Sequence, residues 1–412
     1  MGSGVPSGCT LGSMGIEVVA PVGFSRVRVF NKPPGEVKQL TRLPSLESTA
    51  VISIGARSHA YAVHVGAGLL ARTGELLRAL PFGAAAKTCA LVTDSNVAPL
   101  YAGPVLASLA GTGLTALPIT VPSGEASKSL AETARVADAM IGAGLDRHSF
   151  VVALGGGVVG DLAGFVASIF HRGIPLVQIP TTIVAQVDSA VGGKTGVNSS
   201  LGKNLLGSFH PPSLVIADVE TLQTLPDRDF NEGFAEVIKH GVIRDRGLLE
   251  TILGFNRRDG ATLAAIIRRN VEIKAAVVSA DEFERSGERA LLNFGHTIGH
   301  AIEMAAGYGR LLHGEAISLG MIAAGRLSME KAGLPASDFA RMLACLRHFG
   351  LPTHLAEKLD SDAIFASLSR DKKFVAGQIR FVLTSALGSA FLTDAGEVTL
   401  DDLRRAVARL RG

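Results

Sequence analysis

Short apolar runs bounded by turn residues mark the first half of the chain. YAVHVG (61–66), CALVTD (89–94), FVVALG (150–155), LVQIP (176–180) and LVIAD (214–218) read as strands. Helical patterns lie between them. In SKSLAETARVADAMIGAG (127–144), Leu130, Ala134, Ala137 and Ile141 share one helical face. Alternation of strand and helix over 49–225 predicts a mostly parallel, doubly wound α/β sheet. From 226 on the strand signals fade. PDRDFNEGFAEVIKHGVI opens with cap-type Asp residues and proceeds helically, and 262–279, 296–306, 313–331 and 338–349 follow as helices. The division predicted is a loosely ordered, Gly-, Pro- and Ser-bearing extension (1–48), an α/β domain (49–225) and an all-α domain (226–412).

Composition narrows the function classes. A net charge of +3 gives no electrostatic footprint for nucleic acid. Cys9, Cys89 and Cys345 are odd in number, far apart and without a CxxC, so a reducing, cytoplasmic setting is expected. FVVALGGGVVGDLAGFVASIF (150–170) is apolar enough to suggest a membrane span. Its glycine triplet and central Asp161 fit a strand, a glycine turn and a helix better. No basic segment followed by an apolar one opens the sequence, so no secretory signal is expected.

Two glycine-rich stretches suggest anion binding. Gly155, Gly157 and Gly160 satisfy GxGxxG where a strand hands over to a helix. Glycine there lets the backbone approach a pyrophosphate at a helix N-terminus. The acidic residue expected about 20 positions later is replaced by Pro180, so a dinucleotide would sit in a non-standard Rossmann variant. The segment 180–212 then places Thr181, Thr182, Asp188, Lys194, Lys203 and Asn204 among glycines, a composition suited to phosphate.

His296 and His300 lie four apart and share a helix face, His313 follows a loop, and Glu232 and Glu236 are also four apart. One carboxylate with imidazoles from different helices makes a Zn²⁺ site with an open position. Spacing does not say which of His296 and His300 is the ligand. Lys239, Lys274, Arg289, Arg172 and the Lys372–Lys373 pair add cations. Together these features point to a small, highly anionic, hydroxylated substrate.

The motifs SGEASK (123–128), LGGGVVGDLAGF (154–165), IPTTIVAQVDSAVGGKTGVN (179–198), LGKNLLGSFHPP (201–212), TLQTLP (221–226), GFAEVIKHG (233–241), LNFGHTIGHAIE (292–303), GYGRLLHGEA (307–316) and DKK (371–373) occur in order. Over 51–390 the chain closely resembles the 3-dehydroquinate synthase family of sugar phosphate cyclases. The resemblance implies a Rossmann-like NAD-binding domain followed by a helical domain, with the site in the cleft. It implies Glu236, His296 and His313 as ligands of Zn²⁺ or Co²⁺, with His300 on the substrate side. NAD contacts are implied at Asp94, Asn96, Ser123, Gly124, Glu125, Ala126, Ser127, Lys128, Gly157, Val158, Val159, Gly160, Asp161, Thr181, Thr182, Lys194, Lys203, Thr221, Leu222, Gln223 and Thr224. Substrate contacts are implied at Arg172, Asp188, Lys194, Asn204, Lys239, Lys274, Arg289, Asn293, His300 and Lys372, with Lys373 as the alternative to Lys372.

The activity the resemblance implies is conversion of 3-deoxy-D-arabino-heptulosonate 7-phosphate to 3-dehydroquinate and phosphate. NAD would be recycled and the protein would be a homodimer. Neighbouring cyclases such as 2-deoxy-scyllo-inosose synthase share the metal and NAD motifs. A metal-dependent polyol dehydrogenase would not need the lysines of VGGKTGVN and GKN. A non-catalytic relative should have lost a ligand or a lysine, and none of the motif residues is missing.

Overall fold

The structure is a computed structural model. It describes the backbone of Val18–Val19 and residues 49–411, except 56–59, 258, 308, 357–358 and 370–379. Apart from Val18–Val19, the 1–48 extension therefore lies outside the described residues, as do Lys372 and Lys373.

The strands are β1 (Val18–Val19), β2 (Ala50–Ile54), β3 (Tyr61–Gly66), β4 (Thr88–Asp94), β5 (Thr115–Val121), β6 (Phe150–Gly155), β7 (Leu176–Pro180), β8 (Lys194–Ser199), β9 (Gly202–Phe209), β10 (Leu214–Asp218), β11 (Val382–Thr384) and β12 (Ala390–Leu392). The helices are α1 (Thr73–Arg78), α2 (Pro81–Ala85), α3 (Gly103–Gly111), α4 (Leu130–Gly142), α5 (Gly157–Ile169), α6 (Asp227–Arg244), α7 (Arg246–Leu253), α8 (Gly260–Ala280), α9 (His296–Ala306), α10 (His313–Lys331), α11 (Ala336–His348), α12 (Ser361–Ser369) and α13 (Leu400–Ala408).

The main sheet has the order β1-β2-β3-β10-β7-β6-β4-β5. From β3 to β5 every pairing is parallel, and β2 joins β3 antiparallel. Every residue of β6, β7 and β10 is buried, as the centre of a sheet covered on both faces requires. Val136, Met140, Leu162 and Val166 cover one face; Leu77, Val105 and Leu109 cover the other. The doubly wound α/β expectation holds. The apolar span at 150–170 is strand β6, a glycine turn and helix α5. Among the described residues no helix is long and apolar enough to cross a membrane.

The helical half adds α6 to α13 and one small ribbon, β11–β12. Its core is continuous with β2, β3 and β10, joining Ile52, Val63 and Val215 to Phe234, Ile267 and Ile322. Asp245 caps α7 through Leu248 N–H at 3.3 Å, and Asp259 caps α8 through Thr262 N–H at 3.0 Å.

Two local expectations change. Helix α4 buries Thr133, Val136 and Met140, whereas Leu130 and Ile141 are 53 % and 62 % exposed. Packing on the sheet selects the stripe containing the β-branched and Met side chains, and the alanines fit either face. The glycine-rich lysine loop is partly regular: β8 and β9 pair antiparallel as a separate hairpin. Glycines at 196 and 207 hid its period-two pattern.

His64, on β3 between Val51 of β2 and Ile216 of β10, has a buried Nδ1 without a partner. Burial, with Arg72 adding to it, lowers its pKa from 6.5 to about 4. The unfolded chain then binds more protons between these values, so stability is lost as pH falls through this window. His64→Leu is expected to shrink the loss on acidification by up to about 3 kcal/mol. Denaturant unfolding of both proteins at pH 7 and pH 4 measures it; equal losses would contradict the assignment.

Candidate active site

The carboxyl ends of the parallel strands converge on one edge of the sheet, where doubly wound folds bind ligands. Asp94 ends β4, and its carboxylate accepts from Asn96 N–H at 2.8 Å and Val97 N–H at 3.0 Å. Ser123, Gly124, Glu125, Ala126, Ser127 and Lys128 follow β5; Gly157, Val158, Val159, Gly160 and Asp161 open α5 after β6. Thr181 and Thr182 follow β7, and Thr221, Leu222, Gln223 and Thr224 lie on the 3-10 turn after β10. A Cβ on Gly157 would stand 3.1 Å from Ser189 Oγ, so the turn is kept open by close packing. All these residues of the expected cofactor set gather at this edge.

The hairpin folds over the same edge. Lys128 is 5 % exposed; its ammonium donates to Asp161 at 2.5 Å and also to Asn204. Burial raises the Asp161 pKa despite Lys128. Asn198 Nδ2 donates to Glu125 at 2.7 Å. A cavity of about 460 Å³ is lined by Glu125, Lys128, Ser129, Asn198, Gly202 and Lys203. The buried hydroxyls of Thr93 and Thr181 have no protein partner. Helix N-terminus, lysines and unpaired hydroxyls suit the phosphates and hydroxyls of a dinucleotide.

The helical half brings three ligand atoms together. Glu236 lies mid-α6; His296 and His313 are the first residues of α9 and α10. Glu236 Oε1 stands 3.4 Å from His296 Nε2 and 3.5 Å from His313 Nε2, and the three ligand atoms lie within 4.8 Å of one another. Close helix approach makes this possible. Gly314 has no room for a Cβ, which would meet the Glu232 carbonyl oxygen at 1.9 Å, and Gly295 turns the chain into α9 at φ +78°. Glu236 is fully buried, and its Oε1 has no hydrogen-bond partner. Burial would raise its pKa, but Lys239 and the two imidazoles hold it well below the usual range. Burial lowers the His313 pKa less than Glu236 and Glu303 raise it, to about 10. An orphaned buried carboxylate oxygen facing two imidazoles fits a divalent cation. Of the two histidines four apart, His296 is buried with its Nε2 3.4 Å from Glu236, while His300, one turn on, is exposed, its ring 5.2 Å from that of His296 and 5.8 Å from that of His313.

Cations surround this group. Lys239 donates to Glu236, and Lys274 Nζ donates to Asp188 Oδ1 at 2.6 Å. Burial lowers the Lys274 pKa to about 8 even with Asp188 beside it. Buried Arg289 donates to the Glu282 and Gly192 carbonyls at 2.6 and 3.0 Å. Asn293 ends the 3-10 turn Arg289–Asn293. Exposed Lys194 pairs with Glu284, which also lies 3.7 Å from Arg289. Arg172 differs. It is exposed at the far end of α5, before β7, with φ +69°, at the sheet edge opposite the glycine turn. The structure does not bring it to the other residues within this chain.

Sequence reasoning missed several members. His240 follows Glu236 by four and lies with Asp188 and Glu236 in a second close group. Its Nδ1 is 2.9 Å from Asn270 Oδ1, and Asn270 precedes Lys274 by four. The i, i+4 rule that paired the histidines would have found both. Glu303 follows His296 by seven on the same face. Glu284 gave no signal, because its role depends on a loop.

Residues 118–232 match the family described as 3-dehydroquinate synthase N-terminal, and residues 233–374 match 3-dehydroquinate synthase C-terminal. The chain is 47 % identical over 357 residues to a 3-dehydroquinate synthase of Symbiobacterium thermophilum, covering 85 % of this chain and 98 % of that protein. Identity to the 3-dehydroquinate synthase of Paracoccus denitrificans is 46 % over 372 residues, covering 88 % and 99 %. Among solved structures, 2-deoxy-scyllo-inosose synthase complexed with carbaglucose-6-phosphate, NAD⁺ and Co²⁺ matches with a TM-score of 0.77, 27 % identity and coverage of 87 % and 99 %. The 2-epi-5-epi-valiolone synthase of Streptomyces hygroscopicus, with NAD⁺ and Zn²⁺ bound, matches at 0.76 and 31 %, covering 86 % and 98 %. Glycerol dehydrogenase of Schizosaccharomyces pombe, at 16 % identity and a TM-score of 0.58, shares the fold alone. The ordered motifs, the doubly wound sheet with its helical half and these near-full-length matches place the chain in the 3-dehydroquinate synthase family.

Proposed function

We infer that this chain converts 3-deoxy-D-arabino-heptulosonate 7-phosphate to 3-dehydroquinate and phosphate, the second step of the shikimate pathway. The observation that carries this is the contrast in identity. It is 47 % and 46 % to dehydroquinate synthases, against 27 % to a 2-deoxy-scyllo-inosose synthase and 31 % to a 2-epi-5-epi-valiolone synthase. We propose NAD and a divalent metal, Zn²⁺ or Co²⁺, as cofactors, with Glu236, His296 and His313 holding the metal. Domain boundaries at 49–225 and 226–412 and a cytoplasmic setting belong to the same proposal.

When bound, the dinucleotide supplies reversible hydride transfer and the cation supplies Lewis acidity at a substrate hydroxyl. The chain's own residues position and balance charge. Lys194 and Arg289 now share the Glu284 carboxylate, and an anionic substrate group would compete for the same donors. Lys274 sits buried against Asp188, and burial lowers its pKa even beside that carboxylate. Asn293 and His300 would hydrogen-bond substrate hydroxyls, and Lys372 or Lys373 would hold an anionic group. The enzyme holds one flexible molecule in one pose through several steps, which is catalysis by positioning and preorganised charge.

The direct test supplies this substrate with Zn²⁺ and a trace of NAD⁺. Equal phosphate and dehydroquinate with no net NADH is expected. Turnover only on glucose 6-phosphate or sedoheptulose 7-phosphate would move the chain to a neighbouring cyclase, and stoichiometric NADH would make it a dehydrogenase.

Arg172 reaches a substrate only if a second copy supplies it, which favours a homodimer with shared sites. Ile169, at the end of α5, and Leu205, Leu206 and Phe209, on β9, are exposed apolar residues. Co-expression of the inactive variants Arg172→Ala and Glu236→Ala should restore roughly a quarter of wild-type activity, because half the dimers carry one intact site. Absence of any recovery would contradict the shared site.

A further inference from the structure

Glu303 lies on α9 with 8 % of its surface exposed. One carboxylate oxygen accepts from Lys203 Nζ at 2.6 Å. The other faces His313 Nδ1 at 3.8 Å, while His313 Nε2 points at Glu236 Oε1. The imidazole thus stands between two carboxylates, one for each nitrogen.

A neutral imidazole ligates through one nitrogen only, and the hydrogen on the other needs an acceptor. Only the Nδ1–H form turns a lone pair on Nε2 toward Glu236 and His296. His296 has its own acceptor: its Nδ1 is 3.2 Å from the Phe294 carbonyl oxygen. Among the described residues no backbone carbonyl accepts from His313 Nδ1, and the Glu303 carboxylate stands 3.8 Å from it.

We propose that Glu303 is a positioning residue, which fixes His313 as a metal ligand and ties it through Lys203 to the β8–β9 hairpin. This rests on the reading of His313 as a ligand. The second link gives the arrangement a direction. Lys203 and His313 share one carboxylate, so an ammonium drawn toward a cofactor phosphate leaves Glu303 more fully to His313. Metal and cofactor would then reinforce each other's binding.

The test is metal affinity in the intact chain. Co²⁺ is titrated by its visible ligand-field absorption, and Zn²⁺ by competition with a chelator. Glu303→Gln, which keeps shape and removes charge, should weaken binding by about 10–100-fold. Lys203→Met should bind metal no more weakly than wild type, although its affinity for NAD falls. His313→Ala should lose the site. If His313→Ala binds normally, the ligand assignment itself fails. If His313→Ala loses metal while Glu303→Gln keeps it, the positioning role fails. If Glu303→Gln and Lys203→Met weaken metal binding equally, Glu303 is an ion-pair anchor for the hairpin and the proposal is overturned. Should Glu303→Gln not fold, Glu303→Asp retains the charge and is expected to bind metal with a visible Co²⁺ spectrum; loss of that spectrum in a folded Glu303→Asp would also overturn it.

Discussion

A carboxylate sealed in a protein interior is the constraint around which this molecule is arranged. Glu236 is inaccessible to solvent, and one of its oxygens has no hydrogen-bond partner. Burying an uncompensated carboxylate costs several kcal/mol, and removing one partner of a buried pair costs about 3–5 kcal/mol. Compensation comes from three directions: Lys239 on the same helix and the imidazoles that open α9 and α10. The close packing of α6, α9 and α10 follows from this need. Glycine at 314 permits it, because any larger residue would strike the Glu232 carbonyl.

The same charge logic extends outward. Asp188 is held below the usual carboxylate range because Lys274 and Lys239 outweigh its burial. Lys274 is lowered in turn, since Asp188 offsets only part of its desolvation. Opposite charges are interleaved from the metal-type cluster to the Glu284 loop, and the hairpin lysines continue the pattern toward the sheet edge. Such a site is prepared for an anionic, hydroxylated ligand, and much of its charge balance is internal until that ligand arrives.

Much of this was legible in the sequence. The buried strands were readable because central parallel strands are continuously apolar, so FVVALG and LVIAD match β6 and β10 end to end. Helices α9 and α10 were readable because their histidine, glycine and alanine periodicity is helical throughout. Edge strand β5 was less legible, since its burial alternates irregularly and Pro118 interrupts it. The face of α4 was misread because Leu130 and Ile141 are apolar residues that packing leaves outside. Long-range pairs such as Lys203 with Glu303 carry no sequence signal, as they are one hundred residues apart. The pairing of His240 with Asn270 and the positive φ of Arg172 likewise depend on tertiary structure.

The account stands or falls on whether Glu236, His296 and His313 hold one ion. Crystals grown with Zn²⁺ and measured at the zinc absorption edge would locate it by anomalous scattering. The account predicts one peak per chain, bound by the Glu236 carboxylate and by Nε2 of His296 and of His313, with His300 outside the coordination shell. A peak on Asp188 and His240, or one in which His300 replaces His296, would contradict it.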